Sequence, residues 1–354
     1  MQETPHLSGD DVHEFILDHF QSAGPTLLIG NVGFSPDVLY FPSLVRDMQH
    51  VDLRFFREQR PGVPQAIAQL AAEREAQLRA MVGSRFELGE IAILADDGAP
   101  VGGRNACAQV HAWVGAKAYT DVIVDATGMS RGTAFPVVKQ LQHMSRQRPL
   151  RVHLLVSESD RPPQLIRSVS NDRADWMHGF HAASETDEFA KALRLWVVQL
   201  AERSSAALQT MFKELDTPDE VCPVLPFPST NPRRADELLF ELREYWQGEW
   251  AETPLSFIHA HESDPMDVFR TISRLHVARR EALEGTGRPS LTILSPVGRR
   301  LPGIGMLLAA LTYDLPIFYL ETVGYHVTGH LDSACQDAPH HRWHFRVDEH
   351  SSAR

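Results

Sequence analysis

The amino-acid sequence predicts an α/β fold in which mostly parallel sheets are covered by helices. Short apolar or β-branched runs alternate with amphipathic stretches along the whole chain of 354 residues. These runs also fall into two successive sets, and the turns and helices that follow them have a similar order in both. Strands are predicted at 26–29, 52–56, 121–125 and 151–156, and again at 223–227, 255–259, 290–294 and 316–320.

The composition narrows the class of protein before any motif is considered. Lys and Arg number 34 against 46 Asp and Glu, which gives a formal net charge of −12, and 43% of the residues are hydrophobic. Such a chain is globular, and its acidic balance disfavours polymeric nucleic acid as a partner. Three widely spaced cysteines favour a reducing, cytoplasmic location. The sequence contains no signal-type or long apolar segment, so no membrane association is expected.

The two sets of strands match as an internal repeat. In the first set, DVIVDATGMSRGTAFPVVKQL predicts a strand, a turn and a helix, and LRVHLLVSES supplies the next strand. In the second set, SLTILSPVGRRLPGIGMLLAAL and LPIFYLET repeat that order. The sequence therefore predicts two tandem Rossmann-like parallel-sheet units that form an internal pseudo-dimer. The alternative is that the two halves match by chance, because all α/β folds share this order of strand, turn and helix.

The repeat sets the expected domain boundaries. The first unit is predicted at 1–159 and contains an insertion at 84–120 that has no counterpart in the second half. A helical linker is predicted at 160–219, because Phe189, Leu193, Trp196, Val197 and Leu200 have helical spacing. The second unit follows at 220–330. The remaining 331–354 form a polar, His-rich tail, in which RWHFRV is predicted to be an edge strand.

Candidate ligand residues follow from the rule that ligands bind at the carboxyl ends of parallel strands. Glycine-bearing turns there can hold a phosphate, and an arginine that begins a helix is unfavourable unless an anion lies nearby. The turn after the first strand supplies Gly30, Asn31 and Gly33, and the turn after the third supplies Thr127, Gly128, Ser130 and Arg131. The second half supplies Ser295, Gly298, Arg299 and Arg300. The alternatives are tight turns without a ligand and arginines paired with acidic residues.

Acidic residues end the two predicted second strands. Glu58 and Glu262 match one another in the repeat and could accept hydrogen bonds from ribose hydroxyls, although solvated strand-end carboxylates are the alternative. Metal ligands are poorly supported, because the pair Cys107 and His111 is incomplete and the tail residues lack zinc-module spacing. Those tail residues are Cys335, His340, His341 and His344. No metal and no other cofactor are therefore expected.

The segment from Asp125 to Arg131, D-A-T-G-M-S-R, resembles the ligand loop of the CRISPR-associated Rossmann-fold (CARF) domains. The usual form there is nearer T-G-G-T-K, so the second glycine is replaced here and an arginine stands for the lysine. The tandem arrangement is similar to that of SAVED domains, which fuse two such units. The resemblance implies a site for a cyclic oligonucleotide and a role in bacterial antiviral defence. It also implies that the residues of the two first-unit turns line the site.

Three hypotheses follow from the sequence. The first is a sensor that binds a small anionic, nucleotide-type second messenger and acts through a protein partner. The second is an enzyme that cleaves or transfers a phosphorylated nucleotide-type molecule, for example a ring nuclease, with its general base among Glu58, Glu262 and His261. The third is a scaffold whose loop arginines are held in salt bridges.

Overall fold

The computed structural model describes residues 4–160, 165–181, 191–216, 218–248, 250–251, 253–329 and 339–348. The chain divides into unit 1, formed by Met1–Val169 and Thr322–Arg354, and unit 2, formed by Ser170–Glu321. Both contain parallel strands connected through helices, so the predicted α/β class is confirmed. In the described part of the chain, no helix combines the length and the apolar character that a membrane crossing requires.

The described strands are β1 (His6–Ser8), β2 (Thr26–Asn31), β3 (Val51–Gln59), β4 (Phe86–Ala92), β5 (Asp121–Asp125), β6 (Arg151–Ser159), β7 (Ile166–Trp176), β8 (Leu193–Gln199), β9 (Glu220–Pro226), β10 (Ile258–Ala260), β11 (Ser290–Ser295), β12 (Phe318–Val327) and β13 (His340–Arg346). The α-helices are α1 (Asp10–Gln21), α2 (Tyr40–Leu44), α3 (Gln65–Val82), α4 (Gly102–Gly115), α5 (Arg131–Gln147), α6 (Ser205–Glu214), α7 (Arg234–Glu241), α8 (Arg243–Gln247), α9 (Pro265–Leu283) and α10 (Arg300–Tyr313).

Unit 1 is built on a sheet with the strand order β1-β13-β6-β5-β2-β3-β4. The strands from β6 to β4 pair in parallel, whereas β13 and β1 are antiparallel. Counted along the chain from β2, the parallel strands have the order 3-2-1-4-5, which is typical of doubly wound nucleotide-binding folds. Every residue of β2 and β5 is buried, as expected for central parallel strands. The order reverses between these two strands.

Unit 2 has a smaller parallel sheet with the order β10-β9-β8-β11. Counted along the chain from β8, this is again 3-2-1-4, and a parallel bridge from Leu294 to Ile317 places the start of a fifth segment beside β11. A separate two-stranded sheet pairs β12 with β7. Each sheet therefore has its own reversal point. The predicted pseudo-dimer concerns the arrangement of the two units and stays a prediction.

The predicted helical linker is wrong over 193–199, because these residues form the central strand β8 of unit 2. The spacing of Leu193, Trp196, Val197 and Leu200 resembles a helical face only because the run L-R-L-W-V-V-Q is buried on both sides. Such a strand is nearly continuously apolar and loses the alternation that would distinguish it from a helix. Phe189, the first residue of the predicted pattern, lies outside the described residues.

The predicted insertion at 84–120 is also wrong, because it contains β4 and α4. β4 pairs in parallel with β3 and is the third strand of the 3-2-1-4-5 order. It is an edge strand with polar exposed residues, and its apolar signal is correspondingly weak. The predicted repeat therefore matches the wrong strands. In topology β2 and β3 correspond to β8 and β9, whereas the sequence pattern matched the first two predicted strands with those at 223–227 and 255–259.

The tail contributes a strand, as predicted, but that strand is not at the edge. β13 lies between β1 and β6, so 339–348 belong to unit 1 and do not form a separate segment. Phe345 is fully buried, which explains the aromatic run in an otherwise polar tail. Cys335 and the last residues, 349–354, lie outside the described part of the chain.

Candidate functional site

The candidate site of unit 1 lies where the loops after β2 and β5 meet, at the reversal of strand order. The side-chain amide of Asn31 donates a hydrogen bond from Nδ2 to the carbonyl oxygen of Gly128, at 2.9 Å. A Cβ atom on Gly128 would lie 2.6 Å from Val38 Cγ1 and 2.8 Å from the carbonyl oxygen of Asn31. One on Gly33 would lie 3.6 Å from Gly128 Cα. The close approach of the two loops therefore requires glycine at position 128, whereas a Cβ atom on Gly33 would make an ordinary van der Waals contact with Gly128.

A cavity of about 440 Å³ opens beside these loops. Four of the residues predicted from sequence line it: Asn31, Gly33, Glu58 and Gly128. The full lining is Asn31, Val32, Gly33, Phe34, Arg57, Glu58, Gln59, Arg60, Val63, Ile67, Ala68, Ala71, Ala72, Gly128 and Tyr325. This volume falls within the range of small-molecule sites, and the position is the one at which doubly wound folds bind nucleotides.

The cavity has one apolar wall and one aromatic edge. Val63, Ile67 and the alanines of α3 form the apolar wall. The rings of Phe34 and Tyr325 meet edge to face, with their centroids 5.4 Å apart. Flat aromatic ligands such as nucleobases suit a surface of this kind, because stacking and apolar contact need no particular hydrogen bond.

The charged groups of the cavity are arranged around Glu58, whose side chain is 6% exposed. Its Oε1 accepts a hydrogen bond from the backbone N–H of Ser130 at 3.0 Å, and its Oε2 pairs with Arg60 Nη2 at 2.6 Å. Arg60 also donates to the carbonyl oxygen of Thr322 and lies 6.0 Å from the centre of the Tyr325 ring. Each carboxylate oxygen can accept a further hydrogen bond, so Glu58 keeps capacity for a ligand hydroxyl.

The other sequence-predicted residues of unit 1 gather at the same edge but hold the fold together. Thr127 donates its N–H to Asp125 Oδ1 at 2.9 Å, and its Oγ1 accepts from the N–H of Ser157 at 3.0 Å. Ser130 donates its hydroxyl to Thr133 Oγ1 at 2.9 Å, and it precedes Arg131, the first residue of α5. A Cβ atom on Gly30 would lie 2.7 Å from the Phe55 ring. Thr127, Ser130 and Gly30 position the loops. Neither these three residues nor Arg131 are among the residues that line the cavity.

Unit 2 has a similar bridge between its first and fourth strands. Gln199 ends β8 and donates from Nε2 to the carbonyl oxygen of Arg299 at 3.0 Å, as Asn31 does to Gly128 in unit 1. Gly298 packs against Gln199 and the carbonyl oxygen of Leu200, where a Cβ atom would clash. The side-chain oxygens of Asn31 and Gln199 are both buried without a hydrogen-bond partner among the described residues. Gln199 was missed because β8 was predicted to be helical.

The remaining predicted residues of unit 2 have mainly structural contacts. Ser295 is fully buried, accepts from Trp196 Nε1 at 2.8 Å and donates to the carbonyl oxygen of Phe318 at 2.7 Å. Arg299 precedes α10, whose first residue is Arg300, and its Nη1 lies 3.4 Å from Glu262 Oε1. Pairing with an acidic residue was the alternative to a ligand that the sequence left open for the loop arginines, and Arg299 has such a partner.

Glu262 is not the counterpart of Glu58. It follows β10, the third strand of unit 2, whereas Glu58 lies near the end of β3, the second strand of unit 1. Its Oε2 accepts hydrogen bonds from the N–H and the hydroxyl of Thr230, at 3.0 and 3.2 Å. Of the two, therefore, Glu58 alone lies near the end of a second strand, where dinucleotide-binding folds carry an acidic residue.

Three residues of the cavity carried no signal in the sequence. Arg60 and Tyr325 are far apart along the chain, and a parallel bridge between their neighbours Gly62 and Gly324 brings the two segments together. Phe34 directly follows Gly33 of the predicted turn, but nothing in its neighbours indicated an aromatic contact with Tyr325. Long-range contacts of this kind are not encoded in local periodicity.

No protein-family model matches this chain, and no curated protein matches it in sequence. Two crystal structures of a deacetylase are partly similar to it. One, of the deacetylase in the biosynthesis pathway of teicoplanin, is 14% identical with a TM-score of 0.28, covering 43% of this chain and 76% of that chain. The other, of a teicoplanin deacetylase, is 15% identical with a TM-score of 0.27 and the same coverage. Similarity at this level carries no argument about fold or function.

Proposed function

We propose that unit 1 binds a nucleotide-type small anion in the cavity beside the β2 and β5 loops, and that the protein is a sensor of that ligand. The observation that carries the proposal is the position of the cavity. It lies at the carboxyl ends of parallel strands with the order 3-2-1-4-5, at the reversal point. Its volume, apolar wall and aromatic edge fit a nucleoside.

The chemistry of the lining assigns a part of the ligand to each region. The base lies against the apolar wall of α3 and the rings of Phe34 and Tyr325. The ribose hydroxyls donate to Glu58, at the end of the second strand. The phosphate accepts hydrogen bonds from Arg57 and Arg60, which line the same cavity. Arg57 also pairs with Glu75 and Glu90, so its guanidinium is already oriented.

A binding role is favoured over turnover by the same lining. Among the described residues that line the cavity, Glu58 is the only carboxylate and there is no histidine or cysteine. The other two candidate bases, His261 and Glu262, belong to unit 2. We infer that such a sensor acts through a protein partner, and the resemblance to CARF and SAVED domains favours a role in bacterial antiviral defence.

A thermal-shift panel of linear and cyclic nucleotides tests the proposal, because a ligand that binds the native state raises its apparent stability. Mass spectrometry of each mixture after incubation distinguishes binding from turnover. A stabilising nucleotide that stays intact is the expected result. Conversion of the ligand would support the enzyme hypothesis. If no nucleotide in the panel raises the melting temperature, nucleotide binding is contradicted and the scaffold hypothesis is favoured.

A pair of aromatic variants tests where the ligand lies. Phe34→Ala removes one ring from the cavity and should weaken binding about ten-fold, since stacking on one base is worth about 1–3 kcal/mol. Phe240→Ala, in unit 2 and 68% exposed, is the matched control and should leave the affinity unchanged. Equal affinities for the two variants would refute the assigned position of the base.

A further inference from the structure

A second group of polar side chains lies in unit 1 where β5 and β6 begin, away from the cavity at the carboxyl ends. His19 lies on α1, Asp121 is the first residue of β5, and His153 lies near the start of β6. One ligand atom from each of the three lies within 4.8 Å of the others. Asp121 and His153 are fully buried, and the His19 side chain is 28% exposed. Neither the sequence motifs nor the proposed function uses this group.

We propose that His19, Asp121 and His153 bind a zinc ion. The Nε2 atoms of His153 and His19 lie 3.2 and 3.5 Å from Asp121 Oδ1. Zinc bonds of about 2.0–2.1 Å in a tetrahedron hold neighbouring ligand atoms about 3.3 Å apart. The two distances to Asp121 therefore already match a tetrahedral site, and the ligand atoms of the two histidines lie within 4.8 Å of one another. Two imidazoles and one carboxylate are ligands that Zn²⁺ accepts, whereas Ca²⁺ and Mg²⁺ prefer oxygen alone.

Neighbouring groups hold two of the three ligands in place. Asp121 receives Arg151 Nε on Oδ1 and Arg151 Nη2 on Oδ2, both at 2.6 Å, and its Oδ2 also accepts from the Thr120 hydroxyl at 2.7 Å. His153 Nδ1 lies 3.0 Å from His344 Nε2. A hydrogen bond donated by His153 Nδ1 to His344 leaves the lone pair of His153 Nε2 for a metal. In zinc sites a partner on the second ring nitrogen fixes the ring orientation and the tautomer of a histidine ligand, and His344 occupies that position at His153.

The arrangement also indicates how the ion would be reached. His19 is the exposed member, so an ion enters from its side and keeps a water as the fourth ligand. Arg151 competes for the negative charge of Asp121, but its side chain is 41% exposed and can turn outward. The same distances fit a hydrogen-bonded group without metal, in which His153 donates Nε2–H to Asp121. A measurement of metal binding distinguishes the zinc site from the hydrogen-bonded group.

A titration of the chelator-treated protein with Zn²⁺ at neutral pH, monitored by calorimetry, tests the site. The expected result is one tight Zn²⁺ per chain, and Co²⁺ in its place should give the visible absorption of a tetrahedral ion. His19→Gln should weaken binding at least about ten-fold, as losses at zinc-site partners do. His111→Gln is the matched control, because His111 is exposed on α4.

Two results would overturn the proposal. The first is no tight Zn²⁺ binding by the wild-type protein. The second is equal affinity in the wild-type protein and His19→Gln, which would place the bound metal elsewhere, for example in the tail. His19 is only partly buried, so this variant is expected to fold, and circular dichroism verifies that it does. The outcome is independent of nucleotide binding, because the two sites share no residue.

Discussion

Replacing Gly128 with alanine tests the packing of the two loops that form the candidate site. The added methyl would lie 2.6 Å from Val38 Cγ1 and 2.8 Å from the carbonyl oxygen of Asn31. The second neighbour is backbone, so the strain cannot be relieved by a side-chain rotation alone. Overpacking of this kind costs about 1–3 kcal/mol. A displaced loop also weakens the hydrogen bond from Asn31 to Gly128, which is worth about 1 kcal/mol.

The expected decrease in the free energy of unfolding is therefore about 2–4 kcal/mol, measured by urea denaturation with circular dichroism. Gly115→Ala is the matched control in the same unit. A Cβ atom there meets nothing within 4 Å, and Gly115 ends α4. Alanine stabilises a helix by up to about 1 kcal/mol relative to glycine. A Gly128→Ala variant as stable as the control would refute the close packing of the β2 and β5 loops.

Three further substitutions test other parts of the account. Glu58→Gln should lower the free energy of unfolding by about 3 kcal/mol, because it removes the carboxylate that pairs with the buried Arg60. An unchanged free energy of unfolding in urea denaturation would show that this pair is not needed. Trp196→Ala should lower the free energy of unfolding by about 3–5 kcal/mol if β8 is a buried strand of unit 2. A decrease below about 1 kcal/mol would favour an exposed linker. Burial, and then the charge of Arg280, lower the pKa of His276, so the unfolded chain binds this proton more readily than the folded protein. Stability should therefore fall as the pH decreases below about 6.5, and His276→Asn should lessen this dependence in denaturation curves taken between about pH 5 and 8. Identical pH profiles would contradict that assignment.

The sequence predicted the elements of unit 1 whose signal is local. The strand at 121–125 has the β-branched centre V-I-V and is followed by a turn containing Gly128, and both appear as predicted. Because the carboxyl ends of parallel strands meet at one edge, the predicted turns after β2 and β5 also come together. Glu58, Asn31 and Gly33 reach the same cavity for this reason.

The remaining features depend on information that periodicity does not carry. β8 has helix-like spacing because it is buried on both faces, and β4 has a weak signal because it is an edge strand. Arg60 and its acceptor, the carbonyl oxygen of Thr322, are separated by 262 residues in the sequence. Residues brought together over such a distance can be identified only after the strand order is known. The grouping of His19, Asp121 and His153 was missed for the same reason.

If a nucleotide-type ligand occupies the cavity of unit 1, a bulky side chain placed in that cavity should block its binding. Ala72 lies on α3, lines the cavity and is exposed, so Ala72→Phe fills the space without disturbing the core. Ala76→Phe adds the same ring one turn further along the helix, at an exposed position that is not part of the lining. For the nucleotide that stabilises the wild-type protein most, calorimetry should give a large loss of affinity in Ala72→Phe and wild-type affinity in Ala76→Phe. Wild-type affinity in both variants would contradict the account.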